Sequence, residues 1–266
     1  MTSEYGSSKL KGIANITTSE TGGMYRYQGT GTKVTNNYIC FGTSDKTTCT
    51  GNTDSYMYRI IGVDSTGKLK LLKNKSISFN YWADKFNYDY NWNTGIMKNM
   101  INGSAFLTNS TYVPSGWSNK IATVYWKYGD ISASSSGACQ SSSKVYNIEN
   151  SWTNKVSSKI GLMYLHDFYY SYGNISCLAS CSSSYSQKSF SNNCEDSWAI
   201  DATISQEWTI SRVGGSSNYF AWQLGWKYIT SNYTSASAGT RPVFYLTSDI
   251  KITGGTGTST DPYIIS

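Results

Sequence analysis

Apolar residues in this chain come only in short strings, and that spacing limits its possible folds more than any other feature. Ile60-Ile61 and Val243-Phe244-Tyr245-Leu246 are typical, and polar, turn-forming residues separate one string from the next. None approaches the roughly 20 apolar residues that a membrane-spanning helix needs, so no membrane span is expected. Strings of this length suit strands a few residues long, buried on one or both faces. A disordered chain would carry many charges and few aromatics. Here 14% of the 266 residues are charged and 15% are aromatic, so there is material for a real core. No internal repeat or clear linker divides the chain, and one domain is the economical arrangement.

The pattern along the chain gives an α+β fold class: a single β-rich domain with a few short helices and long loops. Residues 1–22 are polar and read as a flexible N-terminal leader, leaving 23–266 as the domain. Strands are expected over 34–41, 76–82, 121–128, 160–165, 208–213, 241–246, 250–252 and 263–265, with one or two more over 219–229. Residues 56–63 run through Asp64-Ser65-Thr66-Gly67 into Lys68-Leu69-Lys70-Leu71, a strong hairpin signal. Lys68 and Lys70, in a loose group with Lys73 and Lys75, share one face of that second strand and read as solvated edge charges. Ile96, Met97, Met100 and Ile101 have helical spacing, with Asn93 or Thr94 as the cap and Gly103 as the stop. A second short helix is expected over 150–158, with 129–144 a Ser/Gly-rich loop and 173–193 a cysteine-tethered insertion.

One count excludes many chemistries. The only histidine is His166, so zinc and iron sites built on two or three imidazoles cannot form within one chain. His166-Asp167 invites a catalytic reading, but no nucleophile or third group lies beside it in sequence, and a structural or exposed histidine is expected. Asp84, Asn87 and Asp89, with Asn91 and Asn93, supply oxygen donors suited to Ca²⁺, yet they lack the glycine and glutamate of an EF-hand loop. They are weak calcium candidates; no metal and no cofactor is expected. Glu195-Asp196 are adjacent carboxylates that usually point apart. The net charge of +6 forms no basic stripe, so no nucleic-acid partner is expected. Arg212 and Arg241, two of four arginines, are expected to pin loops.

Six cysteines, Cys40, Cys49, Cys139, Cys177, Cys181 and Cys194, contain no CxxC pair. An even number among Ser-, Gly- and Asn-rich turns reads as three disulfides in an exported protein. Cys40 and Cys49 flank a short polar loop and make the easiest bridge; the other four allow three pairings. The polar start at Met1-Thr2-Ser3 is no signal peptide. Tyr and Trp offer rigid contact area with a polar tip, suited to paratope-like surfaces and sugar stacking. Most Trp are expected in the core. Tyr172, Tyr185, Tyr219 and Tyr233 are the tyrosines expected in exposed, ligand-binding loops.

Several strings together resemble an uncharacterised domain family of Firmicute surface and secreted proteins. They are Asn37-Tyr38-Ile39-Cys40-Phe41-Gly42, Tyr58-Arg59-Ile60-Ile61-Gly62-Val63, Lys159-Ile160-Gly161-Leu162-Met163-Tyr164, Glu207-Trp208-Thr209-Ile210-Ser211 and Arg241-Pro242-Val243-Phe244-Tyr245-Leu246. The closing Gly255-Thr256-Gly257-Thr258, with Asp261-Pro262-Tyr263, belongs with them. The resemblance implies one exported domain of a Gram-positive bacterium, sometimes behind a pilin-like or anchoring segment. Arg212-Val213-Gly214-Gly215-Ser216 followed by Gly239-Thr240-Arg241-Pro242-Val243 is similar to the C-terminal signature of the C-type-lectin-like fold. That fold also serves formylglycine-generating enzymes, whose two active cysteines Cys177 and Cys181 echo only loosely. The function expected is a non-catalytic, extracellular cell-surface binding module, adhesin-like, recognising a surface glycan or protein. The alternative is a structural subunit or exposed head of a pilin-like appendage that self-associates, with an enzyme ranked last.

Overall fold

A computed structural model describes residues 16–17, 24–27, 35–82, 92–132, 141–171, 188–189, 197–201, 203–214, 220–225 and 228–266. The expected hairpin is at its centre. Strand β4 (Met57–Val63) turns into β5 (Leu69–Lys73) through a loop that Asp64 organises. Its Oδ1 accepts from the N–H groups of Thr66 and Lys68 and from the Thr66 hydroxyl, while Gly67 takes the positive φ of +81°. Around this hairpin an antiparallel sheet runs in the order β1 (Ile16–Thr17), β2 (Tyr25–Tyr27), β4, β5, β16 (Val243–Tyr245), β10 (Ile160–Gly161). β3 (Tyr38–Cys40) also pairs with β4. All residues of β4 and β5 are buried. At Gly62 a Cβ would come within 2.3 Å of the Tyr25 carbonyl oxygen, so a glycine lets β2 lie close against β4. β1 falls within the segment read as a leader.

The second sheet follows the order β11 (Lys188–Ser189), β14 (Tyr228–Tyr233), β13 (Phe220–Gly225), β12 (Gln206–Gly214), β15 (Ser237–Thr240), β6 (Ser78–Tyr81). β8 (Asp130–Ser132) joins the far end of β12 in parallel. Two ribbons complete the strands: β7 (Val124–Lys127) with β9 (Lys155–Ser158), and β17 (Ile252–Gly254) with β18 (Ile264–Ile265). The helices are short: α1 (Lys46–Gly51), α2 (Thr53–Tyr56), α3 (Ile96–Ile101), α4 (Ser142–Ser151) and α5 (Leu165–Tyr170). The protein is therefore β-rich with a few short helices.

Tryptophan holds this core together, and the N–H groups of Trp82, Trp126, Trp208 and Trp222 are satisfied by backbone, whereas Trp92 Nε1 has no partner among the described residues. Trp82 Nε1 donates to Thr209 O of β12 at 2.8 Å, and Trp208 Nε1 donates to Asn80 O of β6 at 2.8 Å. Trp222 and Trp126 donate to Ile131 O and Ser158 O. A buried indole without such a partner would lose the free energy of an unmade hydrogen bond. One core cluster extends from Tyr27 to Ile265. Cys40 of β3 and Cys49 of α1 form a disulfide with Cα atoms 6.0 Å apart. Asp45 caps α1 by accepting the Thr48 N–H at 2.6 Å. Cys139, Cys177, Cys181 and Cys194 lie outside the described residues.

Several expectations are corrected. β5 is an interior strand between β4 and β16, so Lys70 is not a solvated edge charge; it is 1% exposed, and Lys73 on the same strand is 0% exposed. The second helix is α4, and the segment read as its body forms β9 instead. Ser142, Val145 and Glu149 share a buried helical face, whereas Lys155 to Ser158 alternate between exposed and half-buried as a strand does. Two of the three inward residues of α4 are polar, which hid its face from a hydrophobic pattern. Of 160–165 only Ile160–Gly161 is strand, and Leu165 opens α5. Every residue there is buried, so periodicity carries no signal. The 129–144 loop contains β8, and α3 is capped at its N-terminus by Gly95 rather than Asn93 or Thr94; it ends at the C-cap Asn102, with Gly103 directly after it.

Candidate functional site

The site begins where α4 meets α5. Glu149, 1% exposed on α4, faces the first turn of α5 and takes four hydrogen bonds. Oε1 accepts the Leu165 N–H at 3.1 Å and the Ser211 hydroxyl; Oε2 accepts the His166 N–H at 3.0 Å and His166 Nδ1 at 2.5 Å. A carboxylate only accepts, so the ring proton sits on Nδ1. Burial, with Arg26 adding to it, holds the imidazole below its ordinary pKa against the pull of Asp167 and Glu149. At neutral pH His166 is a neutral, buried side chain whose Nδ1 is committed to Glu149.

Asp167, next in α5, is the second anchor. Its Oδ2 accepts from Lys70 Nζ at 2.5 Å and from the Tyr164 N–H at 3.2 Å. Its Oδ1 pairs with the Arg26 guanidinium and lies 3.5 Å from His166 Nε2. Burial alone would raise this carboxyl's pKa, but Lys70 and Arg26 override it and hold the group far below the usual carboxylate range. Lys70 is pushed below the ordinary lysine value by burial, against the attraction of Asp167. Strands β2 and β5 and helix α5 are thus tied by one buried ionic cluster.

Above the cluster opens a pocket of about 230 Å³. Lys70, Arg26, Glu149 and His166 form its inner end; Trp126, Tyr164, Tyr146 and Tyr245 provide aromatic surface. Tyr125, Lys127, Asn150, Asp64 and Met24 complete the lining, with Tyr125 69% exposed at the mouth. Tyr164 stacks on His166 with centroids 5.0 Å apart and on Trp126 at 6.3 Å. The Lys70 ammonium lies 5.0 Å from the Tyr164 ring centroid, 5.5 Å from Tyr245 and 5.9 Å from Trp126. Gly161 makes this packing possible, because a Cβ there would meet the Trp126 indole at 2.4 Å.

Which polar groups are committed decides what the pocket can do. Glu149 has four donors on its two oxygens and no capacity left for a reacting proton. Asp167 is held by two cations and a backbone N–H. By contrast, Lys70 has one acceptor among the described residues, leaving two of its three N–H bonds without one. The hydrogen bonds to Asp64 all fall on Oδ1, so Oδ2 is open. The Tyr245 hydroxyl has no hydrogen-bond partner among the described residues. Uncommitted donors and acceptors among aromatic rings equip a binding pocket; saturated carboxylates do not equip an acid–base site.

Of the tyrosines named from sequence, only Tyr233 is among the described residues. Tyr233 is 57% exposed at the end of β14, its ring tilted against Phe220 with centroids 4.4 Å apart, and does not line the pocket. Tyr172, Tyr185 and Tyr219 lie outside the described residues, as do Asp84, Asn87, Asp89, Asn91 and Glu195-Asp196. Among the described residues no three His, Cys, Asp or Glu side chains group to hold a metal, and no helix is long and apolar enough to cross a membrane. Arg241 ties two strands and a turn together: it donates to the carbonyls of Lys73 at the end of β5, at 2.8 Å, and of Ala199, at 2.7 Å, and to both oxygens of Glu207 in β12. Arg212 pairs with Asp130 at 2.6 Å. Lys70, Glu149, Tyr125, Trp126 and Tyr245 were not singled out from sequence; only the His166-Asp167 doublet pointed here.

Comparison with known proteins gives no matching family model, no similar curated protein and no similar solved structure.

Proposed function

We propose that the protein is an extracellular, non-catalytic binding module that recognises a surface glycan, with the aromatic pocket as its binding site. The observation that carries this reading is the pairing of ring surfaces with uncommitted polar groups, Lys70, Asp64 and Tyr245, in one cavity. Sugars present apolar C–H faces and a rim of hydroxyls, which rings and fixed hydrogen-bonding groups complement. At about 230 Å³ the cavity is smaller than the roughly 300–1,000 Å³ of drug-sized sites, which suits one terminal residue of a glycan. The saturated Glu149 and Asp167 support binding rather than catalysis. The Cys40–Cys49 disulfide supports an oxidising, extracellular setting. The C-type-lectin-like assignment rests on the strings at 212–216 and 239–243.

A glycan array followed by titration calorimetry tests the proposal. Tyr125→Ala, at an exposed position, is expected to leave thermal stability unchanged and to weaken binding by up to about tenfold, the worth of one aromatic contact. An array without hits, or binding indifferent to both Tyr125→Ala and Tyr245→Phe, would count against the pocket.

A further inference from the structure

The pocket's charge and its inner end narrow the class of sugar. Three cations, Arg26, Lys70 and Lys127, and two carboxylates, Asp64 and Glu149, line it, and Asp167 beneath supplies a third carboxylate. The positive and negative charges therefore balance. An acidic sugar would bring its carboxylate toward Asp64 and Glu149 with no net positive charge to hold it. An amino sugar with a free ammonium would meet Lys70. A neutral group is favoured, provided that it carries a strong acceptor, because the innermost open donor is a charged ammonium.

That ammonium is unusual in its surroundings. Lys70 is 1% exposed, its two open N–H bonds have no protein acceptor among the described residues, and three rings, Tyr164, Tyr245 and Trp126, stand within 6 Å of Nζ. A ligand group reaching it must offer a carbonyl-type oxygen and, directly beside it, apolar surface for the rings. A hydroxyl satisfies the first demand alone. An acetamido group satisfies both: its carbonyl accepts from Lys70 and its methyl packs on the aromatic wall. Its N–H is a donor of the kind that Asp64 Oδ2 and the Tyr245 hydroxyl can accept.

We infer that the pocket is selective for an N-acetylated amino sugar, with Lys70 as the acceptor-reading residue. The inference rests on the glycan-binding reading above. Titration of the whole protein with N-acetylglucosamine, glucose, glucosamine and glucuronate separates the two. N-acetylglucosamine should bind at least about tenfold more tightly than glucose, the equivalent of one charge-assisted hydrogen bond, and glucosamine and glucuronate should bind no better than glucose. Lys70→Met should abolish the preference for the acetamido group and leave any glucose binding in place. Because Lys70 is also part of the ionic cluster, Tyr245→Phe is measured beside it. This change removes one hydroxyl and is expected to reduce N-acetylglucosamine binding more than glucose binding even if Lys70→Met does not fold. Equal affinity for glucose and N-acetylglucosamine, or preference for glucuronate or glucosamine, overturns the selectivity and leaves glycan binding standing. Absence of binding to every sugar on the array defeats both.

Discussion

Replacing Asp167 by Asn tests the physical account of the site most directly. The substitution is nearly isosteric and removes one buried charge, leaving Lys70 and Arg26 without their shared carboxylate. Breaking a buried ion pair by removing one partner costs about 3–5 kcal/mol, because the other charge remains buried. Lys70 can evade part of that cost by releasing its proton, since burial already lowers its pKa. Arg26 cannot, because a guanidinium stays charged. The expected loss is therefore about 3–5 kcal/mol, a large fraction of the roughly 5–15 kcal/mol typical of a domain. Lys70→Met should cost less, about 1–2 kcal/mol, because Asp167 keeps Arg26 as its partner. Urea unfolding followed by tryptophan fluorescence measures both. The depressed pKa of Asp167 adds a pH signature. Its stabilisation is present above the unfolded carboxyl value of about 3.9 and is lost as pH falls toward the folded one. The acid limb of the wild-type stability curve should accordingly be steeper than that of Asp167→Asn. A loss under about 1 kcal/mol, or a Lys70→Met cost equal to that of Asp167→Asn, would refute the claim that the cluster is buried and centred on Asp167.

Two further outcomes follow from groups away from the pocket. Burial, with Arg241 adding to it, pushes Lys73 down to about 7 although Asp54 pulls the other way, so the unfolded chain binds the extra proton above that pH. Urea midpoints should rise between pH 7 and about 10, by an amount on the order of a few kcal/mol, and the rise should be absent in Lys73→Met. Replacing Cys40 and Cys49 together by Ala should lower stability by about 2–3 kcal/mol, the entropy of closing a short loop, with the far-ultraviolet circular dichroism spectrum retained.

The sequence carried the strands far better than the charges inside them. The β4–β5 hairpin was legible because Asp64-Ser65-Thr66-Gly67 sets its turn locally and the flanking apolar strings set its strands. The Cys40–Cys49 bridge was legible for the same reason, both ends lying within ten residues. Lys70 was misread because Lys-Leu-Lys-Leu looks like a half-solvated strand, and its partner Asp167 is 97 residues away. Glu149 was invisible: it is an acidic residue in a Ser-rich helix, and its meaning comes from α5 lying against it. His166-Asp167 stood out as a doublet, but nothing local said that both side chains would be spent on holding structure. Long-range pairing sets the site, and a single sequence shows each half without the other.

The place of β16 in the first sheet has a consequence for synthesis. It lies between β5 and β10 yet is encoded within the last tenth of the chain, at Val243–Tyr245. At about 5–20 residues per second a ribosome needs roughly 10–30 s to travel from the end of β5 to β16. Throughout that interval a nascent β4–β5 hairpin offers a bare strand edge to any neighbouring nascent chain. Lys70 and Lys73, which the finished fold must hide at some cost, are then the inward-pointing charges that discourage such pairing. The lysines that the mature core hides are also those that guard the chain until its last strand arrives.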